Sequence, residues 1–155
     1  MKRRVLAPVL ALMLVLAACS AGPKAADYTV EDAQKLLEAG AFSGEMEAVD
    51  GDVVSALYGL DSGTVQACAG YMAINTSVSA DEVTVLVLAD EEGAKAAEEA
   101  CQKRVASQIE SCRDYCPDQV PRLEEAVISR RGNTVLLAVG DPDKLPQALD
   151  ELGLG

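Results

Sequence analysis

The chain has 155 residues, 25 acidic against 13 basic, with a formal net charge of −12, no histidine and no tryptophan. A balance this acidic disfavours nucleic acid and anionic lipid surfaces as partners. The missing histidine removes the usual general base of serine and cysteine hydrolases and the commonest metal ligand; no Gly-rich phosphate-binding motif occurs, so no cofactor or metal is expected.

The chain opens on Lys2-Arg3-Arg4, then an apolar run from Val5 to Leu16, then Ala17-Ala18-Cys19. A basic start, a short apolar stretch and small residues make a secretory signal peptide over residues 1–18. The run of about 12 residues is too short for a spanning helix, which needs roughly 20. Leu16-Ala17-Ala18-Cys19 resembles a bacterial lipobox. That resemblance implies a diacylglycerol on Cys19, cleavage before it, and a protein held on the extracytoplasmic face of the cell membrane. Acyl chains bind bilayers at about 0.8 kcal/mol per buried methylene, so the membrane is a partner through the lipid alone. Residues 19–27 read as the lipidated cysteine and a linker. Cys19 to Ala26 spans at most about 28 Å, which keeps the domain, residues 28–155, near the bilayer.

Thr29 caps a first helix ending near Gly40, with Ala33, Leu36 and Leu37 on its apolar face. A second short helix fits Asp52 to Tyr58, with Val53, Val54 and Leu57 inward and Gly59 as its end. Asp61-Ser62-Gly63 reads as a turn. Thr64 to Thr76 suits a strand. Glu82 to Ala89 is a stronger one, its near-continuous valines and leucines predicting a central position or burial on both faces. Asp90 caps a long helix to about Tyr115, bounded by Pro117. Pro121 opens a turn or a further helical turn. Strands over Ala126–Arg130 and Thr134–Val139 are joined by Arg131-Gly132-Asn133, a hairpin signal. Lys144 to Leu152 forms a closing helix with Pro146 in its first turn. The expected fold is α+β: an antiparallel sheet of about four strands with the long helix on one face, a two-layer sandwich.

Four cysteines remain after Cys19: Cys68, Cys101, Cys112 and Cys116. Cys101 and Cys112 lie about 16 Å apart along one helix, beyond the ~7 Å reach of a disulfide, and Cys101 with Cys116 is farther still if the helix is intact. The full pairing left is Cys68–Cys101 with Cys112–Cys116; free buried thiols are the alternative, since Cys101, Cys112, Ala94, Ala97, Val105 and Ile109 share one helical face. Arg104, Gln108 and Tyr115 form a second stripe, a candidate row for a ligand or a partner's carboxylate. The plainer reading pairs Arg104 with an acid such as Glu82 and packs the Tyr115 ring.

Several short motifs carry a family likeness. They are Leu57-Tyr58-Gly59-Leu60-Asp61, Ala80-Asp81-Glu82-Val83, Arg104 with Gln108, Tyr115 with Pro117, and Gly132-Asn133 before Val135-Leu136-Leu137. In their order and spacing, from about Tyr58 to Leu149, the chain resembles a family of small Firmicutes lipoproteins catalogued as domain of unknown function 4358. The resemblance implies a Gram-positive lipoprotein and no enzyme class. The expected function is a non-enzymatic binding module with an envelope protein partner or small ligand. Two alternatives are a thiol redox protein using Cys112 and Cys116, and a carboxylate-based hydrolase.

Overall fold

The valine-rich run becomes the centre of a sheet covered on both sides. The computed structural model describes residues 24–61 and 63–155; the expected signal peptide, the lipobox-like stretch and Cys19 lie outside the described residues. Five antiparallel strands are ordered β1 (Met46–Val49), β2 (Val65–Ala73), β3 (Glu82–Leu88), β5 (Thr134–Val139), β4 (Val127–Arg131). Alternate strand residues point to opposite faces. Val83, Val85, Leu136 and Ala138 therefore pack beneath α1 (Val30–Glu38) and α5 (Leu145–Glu151). Leu86, Leu88, Val135, Leu137 and Val139 pack beneath α2 (Gly51–Tyr58), α3 (Glu91–Tyr115) and α4 (Val120–Glu124).

The α+β class and the long helix on one face match the sequence expectation. The sheet has five strands rather than about four, and α1 with α5 adds a layer on its second face. The unforeseen strand, β1, is four residues long with two exposed side chains. Pairing with Gly70–Ala73 holds it, not a pattern of its own.

Local signals set the helix ends. The Thr29 N–H donates to Asp32 Oδ2 at 2.8 Å, and the Gly93 N–H donates to Asp90 Oδ1 at 2.7 Å; each satisfies an amide that the first helical turn leaves unpaired. Gly59 ends α2 in the left-handed region, φ +62. The inward face of α2 differs from expectation: Val54, Ser55 and Tyr58 are buried, whereas Val53 and Leu57 are 48% and 43% exposed. The reason lies on β2. Gly70 has no side chain there, so Val54 settles against it; a Cβ on Gly70 would stand 2.9 Å from Val54 Cγ2. That rotation turns Tyr58 inward.

The chain enters the fold beside the β4–β5 hairpin. The Tyr28 N–H donates to Thr134 Oγ1 at 2.9 Å, and its hydroxyl donates to Ser129 Oγ at 2.8 Å. Arg131 stacks over its ring at 4.4 Å. Asn133 binds the hairpin to the end of β3 through Leu88 O at 2.7 Å, and α3 starts there. Its 25 residues run about 37 Å to the opposite pole.

Candidate functional site

At that far pole, Glu82 opens β3 on the face beneath α3 and is 1% exposed. A buried carboxylate persists only when paired and hydrogen-bonded. Arg104 supplies both: Nε donates to Oε1 at 2.9 Å and Nη2 to Oε2 at 2.8 Å, a forked contact. The Tyr58 hydroxyl donates a short bond to Glu82 Oε1, and Gln108 Nε2 approaches Oε2 at 3.4 Å. The Arg104 guanidinium also lies 5.3 Å from the Tyr58 ring centroid. Burial works against the Arg104 charge, yet the bonds to Glu82 and its negative charge hold it above its ordinary value. Burial, with Glu82 alongside, pushes the Tyr58 phenol well up. The same two causes push the Cys101 thiol up to about 12.

An open groove of about 470 Å³ lies over this cluster, a size ordinary for small-ligand sites. Met72, Glu82, Arg104 and Gln108 line its base. One wall is the β2–β3 loop, with Thr76, Ser77, Ser79 and Ala80; the other is the last turns of α3, with Ser107, Ser111 and Tyr115. The Cys112–Cys116 disulfide closes it. The loop is pinned: Ala80 N donates to Gln119 Oε1 at 3.1 Å and Asp81 N to Ser79 Oγ at 3.2 Å. Gln119 belongs to a 3-10 turn, Pro117–Gln119, that follows α3. Gln108 Oε1 is closed off from solvent and has no partner among the described residues.

The anticipated stripe is thus one side of a real concavity. Arg104 is engaged by Glu82, as the plainer reading had it. Tyr115 departs from that reading: it is 86% exposed at the last residue of the helix. Among the cysteines, Cys112 and Cys116 are bonded, with α-carbons 4.4 Å apart. Cys68 and Cys101 are free thiols, which corrects their candidacy as a disulfide. Cys68 lies under the start of α2, 3.1 Å from a Cβ placed on Gly51; Cys101 is buried on α3 where Glu82 and Arg104 act on it. Each fills its own space in the core beneath α2 and α3.

Sequence reasoning missed Tyr58 as the third member of the Glu82 cluster, and Ser107 and Ser111 as groove hydroxyls. The serines carried a signal, since positions 104, 107, 108, 111 and 115 share one helical face. Beside Glu82, Asp81 is also buried, but it is bound otherwise: Ser43 N and Gly44 N donate to Oδ2 at 2.7 and 3.0 Å, and Arg122 makes a short bond to Oδ1. Among the described residues no cluster of three or more cysteine, aspartate or glutamate side chains is arranged to hold a metal. Nor is any described helix long and apolar enough to cross a membrane.

The model of a family described as domain of unknown function (DUF4358) matches residues 38–140. The chain belongs to this family. The DUF4358 span starts earlier and stops earlier than the likeness read from the motifs. It takes in all five strands, α2 to α4 and every groove residue, and leaves most of α1 and all of α5 outside. No curated protein and no solved structure matches the chain.

Proposed function

We propose that this DUF4358 protein is a Firmicutes lipoprotein, anchored through Cys19 to the extracytoplasmic face of the cell membrane. Its domain is a non-enzymatic module that binds a small ligand or an envelope protein partner in the groove. The leader ending in Leu16-Ala17-Ala18-Cys19 carries the anchoring half of this reading. The groove carries the binding half. Its acids and bases are already spent on one another, so it offers recognition without a proton donor or nucleophile poised to react. The far-pole position suits such a role: the linker joins at Tyr28, and the groove opens at the other end of α3, away from an anchoring bilayer.

Neither chemical alternative gains support. Asp81 and Glu82 are each engaged by an arginine and further donors, so this buried pair is not free to serve in hydrolysis. Cys112 and Cys116 are joined to each other at the C-terminal end of a long helix, where the helix dipole does not favour the thiolate that a redox site uses. The anchor is tested by labelling cells with radioactive palmitate. The wild-type chain takes up label and sediments with membranes; Cys19→Ser takes up none and leaves the membrane fraction. Label retained by the Cys19→Ser chain refutes the reading.

A further inference from the structure

We propose that the groove is a carbohydrate site taking a neutral sugar of one or two rings, an inference that rests on the binding-module reading and names its ligand class. Charge comes first. Glu82 and Arg104 are the groove's ionised side chains and pair with each other at 2.8 Å. A phosphate or carboxylate therefore meets no spare cation, and an ammonium no spare anion. Arg104 Nη1 makes no hydrogen bond with any described residue.

The walls come next. Ser77 on the loop and Ser107 and Ser111 on α3 are exposed and face one groove from two sides. A serine hydroxyl both donates and accepts, as the hydroxyls of a sugar ring do. Tyr115 lines the groove too and holds out a largely exposed aromatic ring. Such a face suits the C–H side of a pyranose, and the phenol tip can stay wet. The base adds apolar surface from Met72 and the disulfide.

Other occupants fit less well. Beside the groove β2 is paired on both edges, with β1 over Gly70–Ala73 and with β3, and β3 lies between β2 and β5, so no free strand edge lies here for a peptide to extend. A lipid headgroup would have to reach the pole opposite the chain's point of entry.

The test uses the full lipidated chain in detergent micelles with three neutral probes: maltose, cellobiose and N,N′-diacetylchitobiose. Saturable binding of at least one is expected at millimolar concentration or below, with amide NMR shifts confined to residues 76–80 and 104–116. Tyr115→Ala is expected to weaken it about tenfold, the loss of one good aromatic contact, and Ser107→Ala with Ser111→Ala by a similar factor. Val53→Ser, on α2 outside the groove, leaves binding unchanged; circular dichroism and melting confirm that each variant is folded. No saturable binding of any probe overturns the proposal, as does binding indifferent to Tyr115→Ala, or a preference for glucose 6-phosphate or a Lys/Leu peptide over the neutral sugars. Peptide preference would still leave a binding module. The unlipidated Cys19→Ser chain should bind sugar as the wild type does, so failure of the anchor and failure of the sugar site are read separately.

Discussion

Asp81 and Glu82 are neighbours in sequence, both buried and both paired with arginine, yet they do different work. Asp81 collects two backbone amides from the loop before β1 together with Arg122 of α4. It joins three separate parts of the chain, and all three hydrogen bonds it accepts serve the fold. Glu82 takes only side-chain donors, from Tyr58, Arg104 and Gln108, and lies in the base of the groove. The difference teaches that a buried ion pair is not itself a functional signal. What the partners do with their remaining donors, and whether a cavity adjoins them, separates a clamp from a site.

The sharpest way to break this comparison is Asp81→Ala. It strands a buried arginine and two amides, so unfolding in urea should show a loss of about 3–5 kcal/mol, and replacing Arg122 by methionine as well should restore little, because the amides of Ser43 and Gly44 stay unpaired. Glu82→Gln comes second. It keeps the shape and removes the charge that offsets Arg104, with an expected loss of about 2–3 kcal/mol in the same measurement; here a second change, Arg104→Met, should recover much of the loss, since only side chains are involved. Removing the disulfide with Cys112→Ser and Cys116→Ser should cost about 2 kcal/mol or less, the small value expected for a very short loop, with faster amide exchange confined to the end of α3.

A subtler effect belongs to Cys101, beside the Glu82 cluster. Its thiol has a folded value of about 12 against an ordinary 9.0. The raised value means the folded state keeps a proton that the unfolded state loses. Stability from this group is intact below pH 9 and declines as pH rises towards 12, by up to one proton or about 1.4 kcal/mol per pH unit. Melts across that window should fall more steeply for wild type than for Cys101→Ala. The smallest change is expected at Leu57→Ser on the outer side of α2, within about 0.5 kcal/mol; a large loss there would mean that the exposed face of α2 is covered in the native state.

Much of the fold was legible because its signals are local. The valine alternation at β3, the caps at Thr29 and Asp90, the stops at Gly59 and Pro117, and the Gly132-Asn133 turn each act within a few residues. β1 was not legible, because its four residues gain strand structure only by pairing with β2. The face of α2 was misread for the same kind of reason: the missing side chain of Gly70, on another element, turned Val54 and Tyr58 inward. Half of the candidate site was visible as Arg104, Gln108 and Tyr115 at helical spacing; the opposing wall comes from a loop some 30 residues earlier, a distance no periodicity spans.

By itself the sequence determined the acidic balance, the absence of histidine, the apolar stretch that runs up to Cys19, and the order of nearly all the elements, since composition and nearest-neighbour propensities suffice for those. Only tertiary structure decided which cysteines bond, that Asp81 serves the scaffold while Glu82 serves the groove, and that Tyr115 stands free. Those outcomes depend on which surfaces meet in space, and burial, ion pairing and cavity shape come into being only once distant segments have packed.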